Sequence, residues 1–178
     1  MKKGLEVRKD FANMQKLFKA LIEADEYRVK VGIIGGKAGK VHKGGFLTNA
    51  EIGYKHEFGE LKSSTFKYKG KKITIKGLPQ RSFLRMPMTL KGREITKKLK
   101  SQKLKIMEMI VKNQSLEPVL ERVGILAENI VQEAFATSGF GQWAKNINPE
   151  YVKLKGSDTP LIDTGQLRRS ISSKVYKK

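Results

Sequence analysis

The chain has 178 residues and a mass of 20.1 kDa, is 39% hydrophobic and 30% charged, and carries a net charge of +20 with no cysteine. That length suits one domain, or one domain with a helical arm, and is enough to bury a core of its own. Absence of cysteine excludes a disulfide framework and a thiolate metal site, and no apolar window approaches the roughly 20 residues of a membrane span or the unbroken run of a signal peptide, so a protein made in a reducing cytoplasm is expected.

Val7, Phe11, Met14, Phe18 and Leu21 recur in steps of four and three, with Leu17 and Ile22 widening the stripe. This predicts an amphipathic helix over 7–25, either core or an arm packed on a neighbouring subunit. Residues 27–34 alternate at period two before becoming apolar and predict a strand that stops at Gly35-Gly36. Glycines and lysines from there to Gly45 predict a surface loop. It fails the phosphate-loop pattern, because around Gly39-Lys40 the required glycine and hydroxyl positions hold Ile34 and Val41. A short capped helix follows over 48–59, ending at His56-Glu57-Phe58-Gly59, where Gly59 is able to take positive φ. With His42 the sole other histidine, His56 beside Glu57 lacks companions for metal or acid-base chemistry.

Residues 65–76 form two alternating runs around Lys69-Gly70 and predict a β-hairpin. Lys67, Lys69, Lys71 and Lys72 interleave with Phe66, Tyr68, Ile73 and Ile75. Such a ribbon either holds a phosphate backbone while rings stack on bases, or uses its lysines to prevent edge-to-edge pairing. It opens a basic stretch: from Lys62 to Lys105 fifteen Lys or Arg face only Glu94, a local charge of +14, whereas residues 106–136 sum to -3. A chain polarised in this way expects an acidic neighbour, nucleic acid or another protein. Leu78-Pro79-Gln80-Arg81-Ser82-Phe83-Leu84 reads as an extended connector. Ile95, Leu99, Ile106 and Ile110 then carry one helix to about Lys112, and a second, begun by Ser115 as cap and Pro118 in its first turn, runs to about Thr137 along Leu116, Val119, Leu120, Val123, Ala127, Ile130 and Ala134. The two are expected to pack as an antiparallel hairpin.

A loop of about 20 residues begins at Ser138 and contains Trp143; its length predicts ordering by a partner or by insertion of the indole. In the segment 160–171, Asp163 or Thr164 is placed to cap a turn of helix that buries Leu167 and Ile171 on one face and leaves Arg168 and Arg169 outside; an edge strand follows over 172–176. Asp158 with Asp163, and Glu57 with Glu60, are too thinly spread for a metal-dependent nuclease or hydrolase.

Taken in order, His56-Glu57-Phe58-Gly59, Leu78 to Leu84, Trp143 and Pro160 to Ile171 resemble the tail-completion or neck proteins of tailed bacteriophages (phage virion morphogenesis, lambda Z-like) from about Val29 to Val175. The resemblance implies a non-enzymatic virion protein without cofactor, metal, small-molecule substrate or membrane. It would be assembled in the host cytoplasm as a ring of six copies that joins the head connector or head-closure protein to the tail terminator or tube. It assigns subunit and partner packing to His56, Glu57, Phe58, Gly59, Pro79, Arg81, Phe83, Trp143, Leu161, Asp163, Thr164, Gly165, Leu167, Arg168 and Ile171. Lys67, Lys69, Lys71 and Lys72 are the expected contact to channel DNA or an acidic partner. Alternatives are a nonspecific DNA-binding accessory protein, or a tail terminator or head-closure protein of the same neck. The expected architecture is one α+β domain over 1–178, a small, mostly antiparallel sheet packed on an N-terminal helix or arm (1–26) and a long helical pair (85–137), with the basic hairpin at 62–78 and the Trp loop and C-terminal turn at 138–178.

Overall fold

A computed structural model describes residues 14–15, 18–19, 25–41, 46–112, 114–146 and 148–178. Most of the expected N-terminal helix lies outside them; Met14, Gln15, Phe18, Lys19 and Asp25 are helical. The fold is α+β. Strand β1 (Tyr27–Ile33) pairs antiparallel with β4 (Ile171–Lys177), in register from Tyr27 opposite Lys177 to Ile33 opposite Ile171. One face of this ladder lies on the long helix α4 (Glu117–Ala136), and helix α2 (Arg85–Ser101) packs on α4 as well.

Helix α1 (Asn49–Phe58) opens with a capping box: Thr48 Oγ1 accepts the Glu51 backbone N–H at 3.2 Å while the Glu51 carboxylate accepts the Thr48 N–H at 2.8 Å. Its buried stripe is Asn49, Gly53 and Glu57, four apart and without a large apolar side chain, while Tyr54 and Phe58 face outward. Strands β2 (Ser64–Tyr68) and β3 (Lys71–Ile75) form the hairpin. Its two-residue turn, Lys69 (φ 47°) and Gly70 (φ 81°), has both φ positive, as the twist of a tight hairpin requires. Among the described residues the expected small sheet is two separate two-stranded antiparallel ladders.

The first long helix divides at Gln102 (φ -104°, ψ 7°) into α2 and α3 (Lys103–Val111), where continuity to Lys112 was expected. Ser101 Oγ turns back onto the Lys98 carbonyl at 2.8 Å, a local bond of the kind that competes with helix continuation. Ser115 Oγ accepts the Glu117 N–H at 3.2 Å and Pro118 sits in the first turn of α4. The helical pair is antiparallel: Lys91 lies by Glu133 at one end, and Leu99 and Gln102 share a crevice with Val119 and Val123 at the other. The core is Phe83, Val131, Ala134, Phe135, Trp143, Leu167 and Ile171. Two short helices complete the chain, α5 (Pro149–Lys155) inside the expected 20-residue loop and α6 (Gln166–Ser170).

Candidate functional site

Two of the motifs meet at one carboxylate. Glu57, 4% exposed, accepts hydrogen bonds from Ser82 Oγ at 2.6 Å, from the backbone N–H groups of Phe83, Leu84 and Arg85 at 2.8, 2.9 and 3.1 Å, and from Arg85 Nε at 3.0 Å. The Leu84 and Arg85 N–H groups are among those a helix leaves unpaired at its start, the Phe83 N–H lies one residue before it, and Leu84, the residue at the cap position of α2, offers no side-chain oxygen. A side chain 27 residues upstream thus supplies the cap. Ser82 Oγ extends it by accepting the Met86 N–H at 3.0 Å. Burial pushes the Glu57 pKa up, but the bonds from Ser82, Leu84 and Arg85 outweigh it and hold the carboxyl below its ordinary range. The charge is therefore kept on the oxygens that the start of α2 binds.

The backbone on either side is fixed to match. Arg81 N–H donates to the His56 carbonyl at 2.8 Å, Glu60 and Leu78 exchange both backbone bonds, and Gln80 Nε2 donates to the Glu57 carbonyl at 3.0 Å. Gly59 turns the chain between these contacts at φ 76°; a Cβ there would lie 3.0 Å from both Gln80 N and Leu78 O. Arg81, 3% exposed, donates Nε to the Ala144 carbonyl at 2.7 Å and Nη2 to that of Lys145 at 3.1 Å, and burial lowers its pKa. Trp143 Nε1 donates to the Ser82 carbonyl at 3.2 Å, and its ring meets Phe135 edge-on at 5.7 Å, itself 5.4 Å from Phe83. The indole lies where a Cβ on Gly139 would stand, 2.3 Å from Nε1. The Trp loop is therefore ordered from within the chain.

Asp163 does not cap α6. The cap position is Gly165, Thr164 Oγ1 accepts the Gln166 N–H at 3.3 Å, and Asp163 instead accepts the Tyr68 hydroxyl at 2.8 Å. Burial and that carboxylate push the Tyr68 phenol up to about 12. Leu167 and Ile171 are buried on one face as expected. Arg168, expected outside, is half-buried and donates Nε to Gln132 Oε1 at 2.6 Å, while Gln132 Nε2 donates to the Arg168 carbonyl at 3.0 Å; Arg169 stays exposed.

The basic hairpin leans on α5. Tyr151 meets Tyr68 and Phe66 edge-on at 5.1 and 6.0 Å, Lys69 Nζ donates to the Leu154 carbonyl at 2.7 Å, Lys71 lies 3.9 Å from Glu150, and Asn148 Nδ2 donates to Thr74 O at 3.0 Å. Ile73 is fully buried. Two of the four expected contact lysines are thus engaged within the chain. Lys67 and Lys72 stand exposed and directly opposite each other, and no carboxylate among the described residues pairs with either.

Of the residues expected to pack on other subunits, six are covered within the chain itself. Glu57, Arg81, Phe83, Trp143, Leu167 and Ile171 are buried in it, and His56, Gly59, Leu161, Gly165 and Arg168 are half-buried; Phe58, Pro79, Asp163 and Thr164 remain exposed. Phe58, 49% exposed, stacks with Tyr54 (67% exposed) at 4.8 Å under the Arg85 guanidinium, with Leu61 fully exposed. Phe58 was expected to make a partner contact, but the exposed Tyr54 beside it and the capping role of Glu57 were not expected; the four-residue spacing of Tyr54 and Phe58 on one helix was the available signal. Among the described residues no group of three His, Cys, Asp or Glu side chains gathers at metal-binding distances. Comparison with protein-family models, curated proteins and solved structures finds no match to the chain.

Proposed function

We propose that the chain is a structural protein of the neck of a tailed bacteriophage, forming a ring that completes the tail and joins it to the head connector. The observation that carries this reading is the meeting of the four motifs behind the resemblance at one junction: Glu57 caps the helix that the Leu78 to Leu84 segment enters, Trp143 hydrogen-bonds into that segment, and Leu167 and Ile171 close the same core. Motifs separated by about a hundred residues thus cooperate in one fold. The exposed Tyr54, Phe58 and Leu61 beside the junction supply apolar surface of the kind assembly covers. In this reading the motifs set the shape, and the aromatic face makes the contact.

Tyr54→Asp combined with Phe58→Asp tests it. The pair alters only exposed side chains, so the circular dichroism spectrum is expected to stay native while complementation of a phage lacking the chain yields heads and tails that fail to join. Normal infectious particles from this variant, or particles that contain none of the labelled chain, overturn the reading. A second reading, nonspecific DNA binding, is favoured by the unpaired Lys67 and Lys72. Salt titration of binding to a random duplex distinguishes it, since phosphate contacts give a steep negative log-log slope and their absence a flat one.

A further inference from the structure

We infer that the corner formed by α3 and the start of α4 is a contact between two copies of this chain, an inference that rests on the ring reading and names a surface for it. Two halves of a complementary patch lie there. On α3, Leu104 (76% exposed), Met107 (44%) and Val111 (43%) fall three and four residues apart and make one apolar stripe, while Ile110 is buried. Lys100, Lys103 and Lys105 lie exposed around that stripe, and none is within salt-bridge distance of a carboxylate among the described residues, although the Glu108 pKa is lowered by its bond from Lys112 and further by nearby Lys105.

On α4, Glu117, Glu121 and Ile125 succeed one another at intervals of four, all exposed, Ile125 at 55%. These two glutamates are exceptional. Every other described carboxylate meets a partner inside the chain: Asp25 and Glu26 the cations of the strand ends, Glu51 and Glu57 helix N-termini, Glu60, Glu94, Glu108, Glu133, Glu150 and Asp158 lysines, Glu128 Ser173, and Asp163 Tyr68. In a chain of charge +20, where cations are in large excess, no cation among the described residues forms an ion pair with Glu117 or Glu121. Unpaired lysines around an exposed apolar stripe, and unpaired glutamates beside an exposed isoleucine, complement each other in charge and in apolar character. A second copy offers both halves. Across the contact, Leu104, Met107 and Val111 of one copy cover Ile125 of the other, and lysines of the first meet Glu117 and Glu121 of the second. This is a rim of opposite charge around an apolar centre.

The test is a charge swap read by light scattering after gel filtration. Glu117→Lys with Glu121→Lys, and Lys100→Glu with Lys103→Glu and Lys105→Glu, are each expected to reduce the wild-type multimer to the 20.1 kDa single chain. An equimolar mixture of the two is expected to restore mixed multimers, because the reversed helices again face opposite charge. Met107→Glu is expected to dissociate the wild type without rescue by either charge variant. Unchanged multimers in both charge variants, with native circular dichroism, overturn this contact and leave a ring built elsewhere. A wild type that is monomeric at all concentrations also overturns it, and the particle experiment with Tyr54 and Phe58 then decides the neck reading separately. Wild type that stays monomeric yet is retained by anionic vesicles, with retention lost in Met107→Glu, reassigns the stripe to a lipid surface.

Discussion

Glu57 satisfies several unpaired donors at once and joins two stretches of chain that sequence order keeps apart. Removing it orphans buried N–H groups as well as losing their bonds, and each buried donor left unpaired costs about 1–3 kcal/mol. Glu57→Ala is accordingly expected to lower stability by about 3 kcal/mol or more, read from the urea midpoint. Glu57→Gln keeps the shape and an acceptor oxygen but removes the charge. The folded carboxyl titrates below its ordinary value, so its contribution is fully present above the ordinary glutamate pKa and is lost as pH falls through the depressed folded value. Wild-type stability should therefore decline below about pH 4.5, whereas Glu57→Gln should start lower and lose less over that acid limb. Equal slopes for the two proteins would mean that the charge is not what the start of α2 holds. The sequence excludes metal or acid-base chemistry for His56-Glu57 without indicating what Glu57 does instead; its role is capping at a distance, and a residue's spacing to a helix that begins 28 positions later carries no periodic signal.

Elements built on apolar periodicity were legible, and elements built on contacts across the chain were not. The stripe of α4 through Val119, Ala127, Ile130 and Ala134, the alternation of β1, the capping Thr48 and the Lys69-Gly70 turn all follow from local rules. Helix α1 hides its buried face because that face is Asn49, Gly53 and Glu57, polar or small, so hydrophobic patterning indicates the wrong side. Helix α5 was hidden in a long polar loop. It is started by Asn148, whose Oδ1 accepts the Tyr151 N–H at 2.8 Å, and ended by Gly156 at φ 80°, but what holds it is the hairpin 80 residues earlier in the chain. Tyr151 is the joint. Its ring touches Phe66 and Tyr68 together, and such aromatic contacts add roughly 0.5–1.5 kcal/mol beyond the area they bury. Tyr151→Ala is expected to release the two elements as a unit, so amide hydrogen exchange should speed up in β2, β3 and α5 while α4 and the β1–β4 ladder keep their protection. Faster exchange confined to α5 would show that the hairpin stands without it.

At the scale of the whole molecule, charge distribution sets a demand that the fold only partly meets. Opposed like charges recur: Lys67 faces Lys72 across the hairpin, and Lys30 faces Lys174 across the β1–β4 ladder with the Tyr176 ring within 4.9 and 5.4 Å of their ammonium groups. Directly opposed like charges destabilise a strand pair, and a chain of +20 repels itself as a whole. The ion pairs that oppose this are mostly exposed and individually weak. Screening should then remove more repulsion than attraction. The melting temperature of the isolated chain is expected to rise as ionic strength goes from about 0.01 M to about 0.15 M, over which the screening length falls from about 30 Å to about 8 Å. Lys72→Glu turns the pair with Lys67 from repulsive to attractive, and it should raise the melting temperature at low salt by on the order of 1–2 °C, with the gain shrinking as salt is added. A melting temperature that falls with salt would mean that the exposed pairs outweigh the repulsion. The excess charge would then be no reason for the chain to seek an acidic neighbour.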